Sequence, residues 1–241
     1  MKTGIVYVAT GPRHAAEAMD SAASVKQKMP TMPIAIFTDE DIAERYFERV
    51  HRVDDPQHSY IDKILWMPRS PFSRTLFLDT DTYVCKDISE MFRLLDRFDL
   101  AAGHASNRIS YGSDRLEDIS GIPEAFPEMN TGVILFRRSH AVRRFFERWL
   151  DCYKTYVGKD GTPRHDQPAF RWALYRSQLH VATLPPEYNC RFNYPVFLRG
   201  PARILHGRHP EIPEIARALN ERTDRRVFVP GLGLVGHREL G

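Results

Sequence analysis

The chain holds 241 residues, 42% apolar, 27% charged and 11% aromatic, with 34 Lys and Arg against 31 Asp and Glu. A formal charge of +3, without a dense Lys/Arg block, excludes a basic tail and gives no reason to expect a nucleic-acid partner; 14 Phe, 10 Tyr and 3 Trp exclude a disordered composition. Apolar runs fall far short of the roughly 20 residues of a membrane helix, no export signal opens the chain, and Cys85, Cys152 and Cys190 are too scattered for a metal pair, so a cytoplasmic chain with reduced thiols is expected.

In chain order, residues 5–9 (Ile-Val-Tyr-Val-Ala) read as a strand closed by Thr10-Gly11-Pro12. Residues 13–28 set Ala15, Ala18, Met19, Ala22 and Val25 at helical spacing, a narrow face of small residues suited to a sheet, and Pro30 and Pro33 stop it. Residues 34–37 form a second apolar strand, 41–48 a helix and 49–53 a third strand. Ser59 is a candidate cap for a helix over 59–68, residues 75–78 are the most sheet-like run of this half, and 87–98 read as helix. Strands follow at 100–103 and 132–136, separated by an irregular stretch, 104–129, whose length inside a compact domain suggests a lid or acceptor loop, with a plain surface excursion as the alternative. Ser139 caps an amphipathic helix carrying Val142, Phe145, Phe146, Trp149, Leu150 and Tyr153, a core stripe. A Gly/Pro loop at 158–165, a helix at 166–175, strands at about 179–184 and 203–206 and a tail of mixed character complete the chain. Strand–helix alternation with continuous apolar strands predicts an α/β sheet covered on both faces.

The sharpest chemical feature is Leu76-Phe77-Leu78-Asp79-Thr80-Asp81. Two acids one residue apart at the C-terminal end of a buried strand lie where α/β sheets bind ligands, and in an extended segment both would point the same way. Their repulsion would keep one protonated unless a divalent cation joined them, and oxygen ligands of this kind suit Mg2+ or Mn2+ with a diphosphate completing the shell. A pair of solvated turn acids is the plainer alternative. Haloacid-dehalogenase-type phosphatases also place Asp-x-Asp after an apolar strand, with the first acid, here Asp79, as nucleophile. Their motif normally continues with Thr or Val where this chain has Tyr83, and it lies on a first strand.

An ordered series of motifs over residues 4–207 resembles the metal-dependent nucleotide-sugar transferases of the GT-A type, nearest to glycosyltransferase family 8. Ile5-Val6-Tyr7-Val8-Ala9-Thr10 looks like the first strand, whose end holds the nucleobase; Lys63 matches a basic residue facing the nucleotide sugar; Asp79-Thr80-Asp81 matches the metal motif. Met129-Asn130-Thr131-Gly132 is similar to the Asn-x-Gly strand lining the sugar pocket, Asp166-Gln167 to a helix-opening pair, and His206-Gly207 to a late His that returns to the metal. Each residue also has a plainer reading: Asn130 as a turn former, Asp166 as an N-cap, Lys63 as a surface lysine, His206 as a structural histidine.

The resemblance implies a single α/β GT-A domain, Rossmann-like, with a mostly parallel central sheet flanked by helices, over 1–207, and a tail at 208–241 packing on or extending it. It implies a glycosyltransferase, retaining, that uses Mn2+ or Mg2+ on Asp79, Asp81 and His206. Asn130, Asp166 and Gln167 would position donor sugar and acceptor, and Ala9, Thr10, Asp39, Lys63, Thr80 and Arg208 would hold the nucleotide. The expected donor is a nucleoside-diphosphate sugar, UDP favoured, and the acceptor a glycan, lipid or protein. Two departures stand out. Thr10 replaces a frequent acid, for which Asp39 offers a nearby carboxylate, and no Lys follows His206, so Arg208, Arg203 or Arg225-Arg226 must substitute. The phosphatase and a non-catalytic nucleotide-sugar-binding module are the alternative functions.

Overall fold

The computed structural model describes residues 2–106, 121–157 and 165–236. In chain order the elements are β1 (Thr3–Ala9), α1 (Pro12–Lys28), β2 (Ile34–Thr38), β3 (Arg49–Arg52), α2 (Tyr60–Trp66), β4 (Arg74–Leu78), β5 (Thr82–Val84), β6 (Leu100–His104), β7 (Met129–Arg137) and α3 (His140–Val157). Then come α4 (Gln167–Tyr175), β8 (Val181–Leu184), β9 (Val196–Arg199), β10 (Ile204–His206), α5 (Ile212–Asn220), β11 (Arg225–Val229) and β12 (Gly233–Gly236). Seven strands form the main sheet in the order β3-β2-β1-β4-β7-β6-β8. Its strands run parallel except β7, which is antiparallel to β4 and β6.

Strand alternation sends residues to two cores. Ile5, Tyr7, Ile34, Ile36, Leu76, Leu78, Val133 and Leu135 meet Ala18, Ala22 and Val25 of α1 on one face. Val6, Ala35, Phe37, Phe77, Ile134 and Phe136 meet Phe145, Phe146 and Trp149 of α3 and Phe170 of α4 on the other. Both faces are covered, which is why these strands read as unbroken apolar runs. A smaller core lies beside them, where Cys85, Cys190, Phe192, Leu198 and Leu205 pack with Ala216 and Leu219 of α5.

Several expectations need correction. The helix expected over 41–48 is a single 3-10 turn, Glu44–Tyr46, and that over 87–98 is 3-10 over Ser89–Asp96. The apolar spacing there permits either helix; Ile88, at the N-terminal cap of the second one, offers no side-chain acceptor, and Asp87 before it takes the Ser89 N–H at 2.7 Å. The tail of mixed character is ordered into α5, β11 and β12, with β11 pairing antiparallel to both β9 and β12. Arg226 is 2% exposed, its guanidinium donating to the carbonyls of Leu219, Gly200 and Asp224. Much of the stretch at 104–129, read as a lid, and nearly all of the 158–165 loop lie outside the described residues. Among the described residues, no helix is long and apolar enough to cross a membrane.

Candidate active site

The site is built around the turn Asp79-Thr80-Asp81 at the exit of β4. The two acids are brought together by this turn and not, as expected, by alternation along an extended strand. Asp79 N–H donates to Gly132 O of β7 at 2.7 Å, and Gly207 N–H to Asp81 O at 2.9 Å. Beneath the turn, Thr82 Oγ1 donates to Asp79 O (2.8 Å) and sits 2.8 Å from Ser21 Oγ of α1, itself 2.9 Å from the Tyr7 hydroxyl. The backbone of β5 then pairs with β10, His206 opposite Thr82, which carries the imidazole to the two acids. Gly207 follows at φ +141°, a conformation that favours glycine, and a Cβ there would lie 2.6 Å from Asn193 Nδ2. Gly132 permits the closest approach: its missing side chain is the space that His206 and Asp79 occupy.

Asp79, Asp81 and His206 each offer one ligand atom within 4.8 Å of the others. His206 Nε2 stands 3.4 Å from Asp81 Oδ1 and 3.7 Å from Asp79 Oδ2. Two carboxylates and an imidazole form a donor set that fits Mn2+ or Mg2+, the nitrogen favouring Mn2+. The acids are inequivalent. Burial pushes Asp79 upward against the pull of Lys63 and His206. When His206 is protonated, its hydrogen bond and charge, together with Arg208 and Arg191, hold Asp81 below the carboxylate range despite its burial.

Lys63, on α2, runs beneath the acids. Its Nζ lies 3.0 Å from Asp166 Oδ2, 3.4 Å from Asp79 Oδ1 and 3.2 Å from Thr131 Oγ1. Burial opposes its charge, but Asp166 and Asp79 outweigh that and hold the ammonium above the usual lysine range. The ammonium donates to Asp79 and Thr131 and pairs by charge with Asp166, whose Oδ2 has no hydrogen-bond partner, so Lys63 braces two carboxylates. Asp166 sits at the start of α4 without capping it: its side chain makes no cap hydrogen bond, is 1% exposed and faces Lys63. Its carbonyl instead accepts from Trp149 Nε1 of α3 at 3.1 Å.

These groups line one cavity of about 640 Å³. Thr10, Lys63, Asp79, Thr80, Asp81, Asn130, Asp166, Gln167, His206 and Arg208 all face it. Two expected nucleotide contacts do not. Ala9 points into the core with Ile5 and Tyr7, and Asp39 Oδ1 accepts from Gly11 N at 2.8 Å, pinning the loop after β1. Arg203 donates to Asp87 O outside the cavity, and Arg226 is structural.

Several residues escape a sequence reading: Asp62 and Arg191 in the cavity wall, and Glu17 and Asn189 behind it. Glu17 of α1 grips Arg208 with both oxygens (2.7 and 3.0 Å) and takes the Thr80 hydroxyl at 2.9 Å. Arg191 lines the cavity with its Nε buried and without a hydrogen-bond partner. Asp62 accepts from Thr10 Oγ1 at 2.8 Å, supplying the acid that Thr10 lacks; three residues after the Ser59 cap, it reads in sequence as a capping-box acid. Asn189 lies 2.8 Å from His206 Nδ1 and 2.9 Å from Asn130 Oδ1, and Asn130 Nδ2 donates to Gln167 Oε1 at 3.0 Å.

Comparison with known proteins places this geometry. The profile of glycosyl transferase family 8 matches residues 59–205, more than half of the chain. No curated protein matches it in sequence. Among solved structures it is similar to the glycosyltransferase GlyE of Streptococcus pneumoniae TIGR4, with a TM-score of 0.62 and 16% identity over 87% of this chain and 56% of that one. It is similar to the galactosyltransferase LgtC in complex with donor and acceptor sugar analogues, at 0.54 and 15% over 86% and 87%. The bifunctional glycosyltransferase WbbM gives 0.57 and 14% over 80% and 40%. At these identities the likeness is one of fold, and the chain spans little more than half the length of the GlyE structure.

Proposed function

The chain belongs to glycosyl transferase family 8 and has a GT-A-like α/β fold, and from that premise we propose that it transfers a sugar from a nucleoside-diphosphate sugar to an acceptor, with a divalent cation on Asp79, Asp81 and His206. The observation that carries this reading is the convergence of those three ligands on one wall of a cavity that also presents the cations Lys63, Arg191 and Arg208 and the polar groups of Asn130 and Gln167. A bound Mn2+ or Mg2+ would supply Lewis acidity, offsetting the charge that builds on the departing diphosphate.

The protein's own groups divide the remaining work. Lys63 holds Asp79 and Asp166 apart and in place. Arg208, two residues after His206 and 3.5 Å from Asp81, and Arg191, whose Nε is unpaired, are the cations that meet the diphosphate. Asn130, Asp166 and Gln167 line the end where sugar hydroxyls need both donors and acceptors. Thr10 and Asp62 form the wall by the end of β1, the nucleobase end. Family membership supports a UDP-type donor and retention of anomeric configuration, and the acceptor sugar analogue in the LgtC complex supports a sugar acceptor. It replaces the phosphatase reading of Asp79.

The test is a thermal-shift screen of nucleotide sugars with and without Mn2+, in which a matching donor raises the midpoint by mass action. Asp81→Ala should keep its fold and lose metal-dependent nucleoside-diphosphate binding; calorimetry showing unchanged affinity would overturn the assignment. Transfer, or slow hydrolysis of the donor, separates the enzyme from a module that only binds.

A further inference from the structure

Among the hydrogen bonds behind the metal-ligand cluster, one has a donor that cannot be reversed. Gly132 N–H can only donate, and it donates to the Asn130 side chain at 3.1 Å. The atom it meets is therefore the amide oxygen, Oδ1. Asn189 reaches that same oxygen at 2.9 Å, so the Asn189 atom there must be its NH2. The other end of the Asn189 amide is then oxygen, 2.8 Å from His206 Nδ1, and only a protonated Nδ1 can satisfy it. In the neutral imidazole this leaves Nε2 bare, on the side facing Asp81 Oδ1 at 3.4 Å and Asp79 Oδ2 at 3.7 Å.

We propose that Asn189 is a positioning residue that fixes His206 as its Nδ1–H tautomer, keeping the Nε2 lone pair turned toward Asp79 and Asp81. The inference rests on the reading of these three residues as metal ligands, and it assigns a role to a residue that touches neither metal nor substrate. The relay works against its surroundings. Two carboxylates beside Nε2 would draw the proton to that nitrogen, where it would block coordination. An acceptor fixed at Nδ1 reverses the preference, and Asn130, Asn189 and His206 are 5%, 7% and 2% exposed, so water does not compete for it. At its far end the relay occupies Gln167 Oε1, leaving the Gln167 NH2 as the group it can offer a ligand in the cavity.

The test begins with metal-free protein labelled with 15N-histidine, under alkaline conditions that leave imidazole neutral, with His206 assigned by the signal lost in His206→Gln. Long-range 1H–15N spectra should show a pyrrole-type Nδ1 and a pyridine-type Nε2; the opposite pattern overturns the proposal. Asn189→Ala should move the proton to Nε2 and weaken Mn2+ binding by about 10- to 100-fold in calorimetry. Asn189→Asp, which still offers Nδ1 an acceptor, should keep the tautomer and recover most of that affinity, which a purely structural role for Asn189 does not foresee. An alanine variant with unchanged tautomer and Mn2+ affinity overturns the role. If Asn189→Ala does not fold, the wild-type spectrum decides alone. Wild-type protein with the Nδ1–H pattern but no Mn2+ binding would refute the metal reading while supporting the relay.

Discussion

Gly132→Ala places one methyl group inside the candidate metal site. Gly132 sits in β7, where Val133 pairs with Leu78 of β4 and Gly132 O accepts from Asp79 N–H, so its backbone is held on the β4 edge; on the other edge the pairing with β6 is regular only up to Ile134, opposite Ala102. A Cβ on this residue would lie 2.6 Å from Asp79 Oδ2 and 2.7 Å from His206 Nε2, and closer still to His206 Cε1. Unstrained contacts lie near about 3.5 Å, so both side chains must retreat by roughly 1 Å. Metal ligation tolerates about 0.2 Å. Since removing an outer-shell partner already weakens a metal site by about 10- to 100-fold, displacing two ligands together should lower Mn2+ affinity by at least about 100-fold.

The effect on stability should be smaller, because the displaced groups can move toward the open cavity. Overpacking amounts to about 1–3 kcal/mol, and the lower end, about 1 kcal/mol, corresponds to a fall of about 2–4 °C in midpoint for a domain of this size. Calorimetry with Mn2+ and a thermal melt measure the two effects on one sample. Gly4→Ala is the contrast: its Cβ would lie 2.5 Å from the Phe72 ring, in the core and away from the acids. That variant should lose about 1–3 kcal/mol and bind Mn2+ as wild type. A Gly132→Ala protein that binds Mn2+ normally would refute the close approach on which the site geometry rests.

Substitutions at three further positions probe buried and paired charges beside the cavity and away from it. Asp166→Asn leaves buried Lys63 with one carboxylate instead of two, and a broken buried ion pair predicts a loss of about 3 kcal/mol in urea unfolding; unchanged stability would show that the pair is not formed. Arg226→Met strands the carbonyls of Leu219, Gly200 and Asp224, lowering stability by about 2–4 kcal/mol with donor binding intact, and Arg226→Lys should not rescue it because the fork of donors is lost. Burial opposes the Glu17 charge, but hydrogen bonds from Arg208 and Thr80 prevail and hold it below the carboxylate range. Its contribution is therefore complete above an unfolded value of about pH 4.3 and lost as pH falls through the lower folded value, so Glu17→Gln should flatten the acid limb of a midpoint-against-pH curve. An acid limb identical to wild type would refute that contribution.

What could be read from the sequence follows from which interactions are local. β1, β2, β4 and β7 are buried on both faces, so burial alone writes them as apolar runs, and α3 carries its aromatic stripe at helical spacing. The turns at Glu44–Tyr46 and Ser89–Asp96 use the same local pattern as an α-helix, and only their tertiary surroundings choose the tighter form. β9, β11 and β12 are short and antiparallel, each with one outer face, and such strands leave a weaker trace.

The site divides along the same line, between groups placed by the element that carries them and groups placed by the rest of the molecule. Asp79, Asp81, Asn130, Asp166 and His206 stand at or next to the ends of strands and helices, so their element delivers them to one edge of the sheet. Glu17 meets Arg208 from 191 residues away, and Asn189 acts on His206 because the neighbouring Cys190 bridges to Leu205 of β10. Neither carries a local mark that would separate it from a surface acid or a turn asparagine. Strand parity explains why the Ala9 side chain does not line the cavity. Ile5, Tyr7 and Ala9 share one face of β1, the core face under α1, so the last residue of the strand is bound to turn inward however close its backbone comes to the cavity. Thr10, one step past the strand, takes the opposite side and reaches Asp62, so two carboxylates stand beside the end of β1: Asp62 of α2 on the Thr10 hydroxyl, and Asp39 after β2 on the backbone of Gly11.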